Sequence, residues 1–169
     1  MSIEPFERYM LIAQRFGART VLFQEAAARH LDLSATQLEC FQLVRHDGPM
    51  TASDLAQETG LTPAALSTIV DKLVALNYLV RNQDQTDRRR WILKVHPTAI
   101  RRVDAVYTAH ASRTAALLQT YLEEDLNTAL RFMERLAEEL RLTTLELANK
   151  PLSIFGPDHP TKPDRTDSR

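Results

Sequence analysis

Glycine is scarce in this sequence, with four residues among 169, at positions 17, 48, 60 and 156. Neither G-x-G-x-x-G nor G-x-x-x-x-G-K, the phosphate-binding loops of nucleotide enzymes, can be written with them. The single cysteine, Cys40, excludes an internal disulfide and any zinc site built from paired cysteines. The five histidines show no short ligand spacing, so neither a metal site nor a cofactor is predicted. We therefore predict a protein that is not an enzyme.

Long apolar runs and a large net charge are also missing. No run approaches the roughly 18–20 residues that a membrane span requires, and no basic-then-apolar leader opens the chain. A soluble, cytoplasmic protein without a membrane partner is expected. The net charge of −1 hides an asymmetry: residues 51–102 carry eight basic and five acidic side chains, and residues 103–150 carry five and eight. A local basic excess on a neutral chain is typical of a nucleic-acid contact surface.

Capping residues divide the first half of the chain into helices. Residues 4–30 have helical spacing of apolar side chains and predict one long helix. Three further helix starts are predicted at Ser34 with Gln37, at Thr51 with Asp54, and at Thr62 with Pro63. Gly60 ends the third helix and Asn77 the fourth, because both residues adopt the left-handed backbone of a helix C-terminus readily. A pair of helices joined by a glycine turn results.

A hairpin follows this pair of helices. Residues 78–81 and 91–95 read as strands, with a polar turn between them, and two more helices run from Thr98 onwards. This order predicts a mainly α fold with a small β wing, a winged helix-turn-helix. The predicted domains are a helical dimerisation region, a DNA-binding domain and a proline-rich polar tail, which take residues 1–32 with 100–150, residues 33–99, and residues 151–169.

The last helix carries apolar residues at a spacing near 3.5, a short coiled-coil-like seam. It consists of Leu126, Ala129, Met133, Leu136 or Ala137, Leu140, Thr144 and Leu147. A lone helix would leave this seam in water, and Phe6, Met10 and Phe16 supply a second stripe to cover it. We therefore expect a two-fold homodimer that binds double-stranded DNA at an inverted-repeat site.

Candidate DNA-binding side chains lie on the solvent face of the fourth helix, at the wing tip and just after the wing. They are Thr62, Pro63, Ala64, Ser67, Thr68, Lys72, Arg88, Arg89, Arg90 and Arg102. Small residues let a helix lie deep in the major groove, and Lys72 and Arg102 are expected to contact phosphate. Asp87 is predicted to accept hydrogen bonds that brace the wing, so that Arg89 can reach a minor groove.

The hairpin resembles the wing signature of the MarR family of bacterial transcriptional regulators, R-x-x-x-x-x-D-x-R-x-x-x-[VL]-x-L. The resemblance is carried by the residues that run from Leu79, Val80 and Arg81 through Asp84, Asp87, Arg89 and Leu93 to Val95, which stands at the last position of the signature. Residues 67–73 are similar to the family's recognition helix, and the order of elements matches over residues 5–149. The resemblance implies a dimer built from the first and last helices, DNA binding by recognition helix and wing, and often a small ligand in the cleft between them. The function expected is a homodimeric repressor relieved by a small-molecule effector.

The sequence leaves several hypotheses about function open. A pocket for a small aromatic or anionic ligand could be lined by Phe16, Arg19, Phe23, Phe41 and His46. Cys40 could make the protein a redox-sensing repressor. A winged-helix protein-interaction module without DNA binding is a further alternative, and a small enzyme is a distant one.

Overall fold

A computed structural model describes residues 3–149 of the chain. The six helices are α1 (Ile3–His30), α2 (Ala35–His46), α3 (Ala52–Thr59), α4 (Pro63–Ala75), α5 (Pro97–Leu118) and α6 (Glu123–Asn149). The three strands are β1 (Met50–Thr51), β2 (Leu79–Gln83) and β3 (Trp91–Val95). The predicted class, mainly α with a small β wing, is confirmed. The predicted tail at 151–169 lies outside the described residues.

Within residues 3–149, no helix combines the length and the apolar character that crossing a lipid bilayer would need.

The predicted capping residues begin their helices as expected. Ser34 accepts from the Gln37 N–H and the Gln37 side chain accepts from the Ser34 N–H, which makes a capping box at α2. Thr51 and Asp54 do the same at α3, and these hydrogen bonds hold the pKa of Asp54 below its ordinary value. The Thr62 hydroxyl accepts from the first turn of α4. Each cap satisfies N–H groups that a first helical turn leaves unpaired.

Left-handed backbone marks the two predicted helix ends. Gly60 follows α3 with a φ of 68°, and Asn77 follows α4 with a φ of 56°. A Cβ at position 60 would lie 3.3 Å from the Cβ of Ala148 and 3.5 Å from Leu145. The turn between α3 and α4 therefore has two reasons to be glycine, its backbone and the close approach of α6.

The sheet is antiparallel, with strand order β1-β3-β2. In the hairpin, Leu79 lies opposite Val95 and Gln83 lies opposite Trp91. The predicted second strand of the hairpin has the observed bounds, whereas the first begins one residue later and extends two residues further than predicted. The sequence does not predict β1, because two residues are too short to show an alternating pattern.

The core lies inside the winged domain and is centred on Tyr78. The Tyr78 hydroxyl donates to the Leu31 carbonyl at 2.7 Å, and its ring makes an edge-to-face contact with Phe41, with centroids 5.7 Å apart. The end of α1 and the start of α5 complete this core, so both ends of the domain are tied to long helices. Its buried side chains are Ala27, Ala28, Leu31, Leu33, Leu38, Cys40, Phe41, Val44, Leu55, Leu66, Val70, Leu73, Tyr78, Leu79, Leu93, Ala99 and Val103.

Most of α1, the far end of α5 and α6 keep apolar faces outside this core. Phe16 is 62% exposed, and Met133, Leu140 and Leu147 of the predicted seam are 52%, 61% and 50% exposed. These side chains remain in water when the chain is alone, which is unfavourable for so large an apolar surface.

Candidate nucleic-acid interface

Helix α4 separates its two faces as the sequence predicts. Leu66, Val70 and Leu73 are buried in the core. The six residues predicted to meet DNA are all exposed: Thr62, Pro63, Ala64, Ser67, Thr68 and Lys72. The Thr68 hydroxyl donates to the Ala64 carbonyl at 3.2 Å, so its oxygen can still accept a hydrogen bond. Apart from Lys72, these six side chains are small, so a DNA groove can approach the helix backbone closely.

The wing tip, residues 84–90, is braced mainly by Asp84. Its Oδ1 accepts from the Thr86 N–H at 2.7 Å, the Thr86 hydroxyl at 2.6 Å and the Asp87 N–H at 3.1 Å. These hydrogen bonds lower the pKa of Asp84 to about 2, so the carboxylate is charged at neutral pH. Asp84 is part of the family resemblance, but the sequence-based prediction assigns the bracing role to Asp87. A local signal for Asp84 exists, because an aspartate side chain commonly accepts from the backbone N–H two residues on in an Asx turn.

Asp87 supplies a second brace in the same loop. Its Oδ1 accepts from the Arg89 N–H at 2.9 Å, and its carbonyl accepts from the Arg90 N–H at 2.9 Å. The contact is with the Arg89 backbone, which leaves the guanidinium of that residue outside the brace. Arg88, Arg89 and Arg90 are all exposed. Three cations thus stand on a loop whose backbone is fixed by two aspartates.

An ion pair joins the wing to α4. The Arg81 guanidinium on β2 lies 2.7 Å from the Asp71 carboxylate on α4. Sequence reasoning did not find this pair, because the two residues sit on different elements and share no local pattern. Since it is surface-exposed, its effect on stability is small, and it connects the hairpin to the helix directly.

The structure gives Arg102, a predicted phosphate contact, an intramolecular role. Its guanidinium donates to the Leu76 carbonyl at 3.2 Å and lies 4.4 Å from the centroid of the Tyr78 ring. It therefore caps the C-terminus of α4 and covers the core. Spacing alone could not reveal this, because the acceptor is 26 residues away along the chain.

The described chain does not bring the five residues of the predicted effector pocket together. Phe41 is fully buried against Tyr78, whereas Phe16 and Arg19 are exposed on α1. Phe23 packs on Tyr107 and His110 of α5, with ring centroids 5.3 Å and 4.8 Å away. Helical spacing shows which aromatic residues share a helix face. It does not show whether such a residue packs in the core, as Phe41 does, or lines a pocket.

A polar depression of about 420 Å³ lies between α1, α2 and α5 instead. Of the five predicted pocket residues, His46 borders it. Arg45 and Asp104 form an ion pair of 2.7 Å on its wall, and the Tyr107 hydroxyl donates to Gln24. The lining residues are Gln24, Glu39, Gln42, Arg45, His46, Asp104 and Tyr107.

Unused acceptors characterise this depression. Gln42 Oε1 is buried and has no hydrogen-bond partner among the described residues, an arrangement that is unfavourable for a polar atom. Partial desolvation raises the pKa of the Glu39 carboxyl. Since Arg45 is already paired with Asp104, the site offers more to a hydrogen-bond donor than to an anion.

Cys40 is poorly placed for redox sensing. The side chain is fully buried, and burial together with the charge of Glu39 raises the pKa of its thiol to about 11. The thiolate is the reactive form of cysteine, and reactive thiols have lowered pKa values. The structure therefore opposes the alternative of a redox-sensing repressor that uses Cys40.

Alkylation tests this placement of Cys40. At pH 7.5 the folded protein is expected to react with iodoacetamide at least about a hundredfold more slowly than the protein in guanidinium chloride, because burial removes both access and thiolate. Mass spectrometry of timed samples measures both rates. Complete labelling of the folded protein at the rate of a free thiol would reinstate Cys40 as a sensor.

Taken together, the helix pair, the hairpin with its three arginines and the exposed face of α4 define a winged helix-turn-helix protein. The model of the MarR family matches residues 31–90. An HTH-type transcriptional regulator of Bacillus subtilis, YcgE, is 32% identical over 125 residues, which cover 74% of this chain and 81% of that protein. The chain belongs to the MarR family and is a transcriptional regulator of that family.

Solved structures share this fold. RV1404 from Mycobacterium tuberculosis is similar over 82% of this chain and 94% of its own, with 19% identity and a TM-score of 0.60. Overoxidized AbfR bound to DNA is similar over 82% of this chain and 96% of its own, with 15% identity and a TM-score of 0.50. At such identities the likeness concerns the fold.

Proposed function

We propose that this regulator is a homodimeric repressor that binds an inverted-repeat DNA site and is released by a small molecule. Two features carry the proposal: the exposed face of α4 and the wing tip with its three exposed arginines. The ion pair between Arg81 and Asp71 joins the elements that bear them. A recognition helix in a major groove and a wing over the adjacent minor groove use these two features together. AbfR, which shares the fold, is DNA-bound in its crystal structure.

The exposed apolar faces of α1 and α6 support a dimer. The faces carry Phe6, Phe16, Met133 and Leu140, each at least half exposed in the single chain. A second copy that covers them would place two winged domains on successive major grooves, about 34 Å apart. An inverted repeat follows because the symmetry of the site mirrors that of the dimer.

Release by an effector is assigned to the polar depression between α1, α2 and α5. Helices α1 and α5 belong to the proposed dimerisation region and α2 to the winged domain, so a ligand held there contacts both parts. The unpartnered Gln42 Oε1 and the Glu39 carboxylate favour a ligand with N–H or O–H donors. This departs from the aromatic or anionic ligand expected from the sequence.

The decisive experiment for the function is selection of DNA from a random-sequence pool by the purified full chain. The expected product is an inverted repeat whose half-site centres are about 10 base pairs apart, or a multiple of that spacing. Placing the selected site over a promoter should then lower transcription in a purified system. Absence of any enriched sequence would overturn the DNA-binding role and would favour a protein-interaction module.

Alanine variants of Lys72 and Arg102 are expected to have different effects, because Lys72 is proposed to contact phosphate and Arg102 makes contacts within the protein. Lys72→Ala is expected to weaken binding to all DNA sequences alike and to reduce the slope of log affinity against log salt by about 1 for each phosphate that the lysine neutralises. Arg102→Ala should instead lower the melting temperature, because it removes the cap on Leu76 and the cover on Tyr78. Binding titrations at several salt concentrations and thermal melts measure the two effects. An Arg102→Ala variant with unchanged melting temperature and a shallower salt slope would restore the sequence-based assignment.

A further inference from the structure

Trp91 is the one tryptophan of the chain and the first residue of β3. It is 54% exposed, the most exposed of the large apolar side chains in the winged domain, residues 33–99, which the structure describes throughout. The other exposed large apolar residues lie on α1, α5, α6 and the α5–α6 turn, where a second copy of the chain would cover them. Nothing in the proposed dimer accounts for Trp91.

The register of the hairpin identifies the face that Trp91 occupies. Alternate residues of a strand share a face, so Trp91 points to the same side as Leu93, which is buried in the core. Opposite them on β2 are Gln83 and Arg81, respectively. The Arg81 side chain reaches Asp71 of α4, which shows that this face of the hairpin is turned towards α4.

Trp91 therefore lies two residue pairs further along the wing than the Arg81 contact, at the next position on the same face. Strand β1 pairs with β3 at Leu93 and Ile92 and then gives way to α3, so within residues 3–149 Trp91 has no strand partner on the side away from β2. The Gln83 side chain is held by a bond of 3.0 Å to the Arg88 carbonyl. The exposed indole thus lies on the face of the hairpin that carries the Arg81 contact with α4, beyond that contact in the direction of the arginine tip.

We propose that Trp91 packs on the sugar-phosphate backbone of the DNA strand that passes between α4 and the wing tip. This inference rests on the proposed function: with α4 in a major groove and the wing over the adjacent minor groove, the strand between the two grooves crosses this face. An indole suits the contact because its flat ring covers the apolar side of a deoxyribose and its Nε1–H donates to a phosphate oxygen. Arg90, which directly precedes it along the chain and is exposed, supplies positive charge for the same backbone.

A backbone contact carries no sequence information of its own. The contribution of Trp91 is consequently equal for all DNA sequences, in contrast to that of an arginine that enters a narrow minor groove. This difference separates the two roles experimentally.

The test uses the intrinsic fluorescence of the full chain, since Trp91 is its single tryptophan. Labelled duplexes of about 30 base pairs, one selected from a random pool, one A·T-rich and one G·C-rich, span two half-sites. Anisotropy of the label reports DNA binding, and acrylamide quenching of Trp91 reports its exposure. Covering one face of the half-exposed ring is expected to reduce quenching by about twofold at saturating DNA.

Variants complete the test. Trp91→Phe is expected to weaken binding to all three duplexes by about tenfold, because it removes a hydrogen bond to a charged phosphate, and Trp91→Tyr, which keeps a donor, should weaken it less. Tyr121→Trp in a Trp91→Phe background places a control tryptophan at the α5–α6 turn, away from the wing, and its quenching should not change with DNA.

The outcomes distinguish this inference from the proposed function. Anisotropy that shows binding while the quenching of Trp91 stays constant, or Trp91→Phe binding as tightly as the wild type, would overturn the inference and leave the function intact. No anisotropy change with any duplex would overturn the function itself. If Trp91→Phe fails to fold, the quenching measurement on the wild-type protein still decides.

Discussion

Glutamate at both Met133 and Leu140 is expected to convert the dimer into a monomer and to lower DNA affinity by about 10²–10⁴-fold. Both side chains are exposed in the single chain, 52% and 61%, so the substitutions remove nothing from the core of the protomer. In a dimer they would place four charges in an apolar interface, which is strongly unfavourable. The affinity falls because a monomer occupies one half-site and loses the high effective concentration of the second domain.

Sedimentation velocity measures the first effect and anisotropy titration the second. The control is Arg135→Glu, which adds negative charge on the opposite side of α6 by helical spacing and should leave both properties unchanged. A wild-type protein that sediments as a monomer at micromolar concentration would contradict the dimer directly. A double variant that stays dimeric would move the interface away from the α6 seam.

Local chemistry explains why so much of the fold could be predicted. The capping pairs at Ser34 and Thr51, the proline after Thr62 and the left-handed Asn77 all act within a few residues, so the sequence displays both partners of each interaction. The exposed face of α4 could be predicted for a similar reason, because helical periodicity in the sequence assigns the buried and the exposed positions of a helix together.

Long-range interactions account for the features that were missed. Sequence spacing presents Arg102 as a free cation, yet its acceptor is the carbonyl of Leu76, which only the folded chain brings close. Phe41 shows the same limit, since its position on α2 does not reveal that Tyr78 closes over it. Arg45 and Asp104 pair across two helices for the same reason. The depression that we assign to an effector is made from such contacts, which explains why the sequence suggested different residues.

Removing either aspartate of the wing is expected to weaken DNA binding, although it also removes a negative charge next to DNA. Asp84→Ala deletes the acceptor of three hydrogen bonds and Asp87→Ala deletes the acceptor for the Arg89 N–H. The loop that presents Arg89 then loses its fixed shape, and the arginine must be ordered at the moment of binding. We expect Asp84→Ala to weaken binding by about tenfold or more, because it breaks the larger set of bonds.

The loss of DNA affinity in Arg89→Ala is the reference for the losses expected in the two aspartate variants. An arginine in a narrow, A·T-rich minor groove contributes about 1–3 kcal/mol to specific binding, and G·C-rich flanks should reduce that contribution. Arg89→Lys should restore only part of it, because an ammonium group is more strongly hydrated than a guanidinium. If the aspartates act by presenting Arg89, their alanine variants should show the same dependence on the flanking sequence.

The charge state of Asp84 fixes the pH range in which its brace operates. Its pKa in the folded protein is about 2, below the ordinary value for aspartate, so the stabilisation is complete above that ordinary value. It disappears as the pH falls from about 4 through 2. Titration of Asp84 should therefore leave DNA binding by the wild type unaffected between about pH 5 and about pH 8.

Matched variants decide between bracing and simple electrostatics. Asp84→Asn removes the charge but keeps the acceptor oxygen, so bracing predicts affinity near that of the wild type and electrostatics predicts tighter binding. Gln85→Ala changes the neighbouring side chain, for which the described structure records no hydrogen bond, and should have little effect. Anisotropy titrations on one selected site measure all of these variants, and circular dichroism checks that each is folded. Tighter binding by Asp84→Ala and Asp87→Ala would contradict the brace, and the three arginines would then act as a nonspecific charged surface.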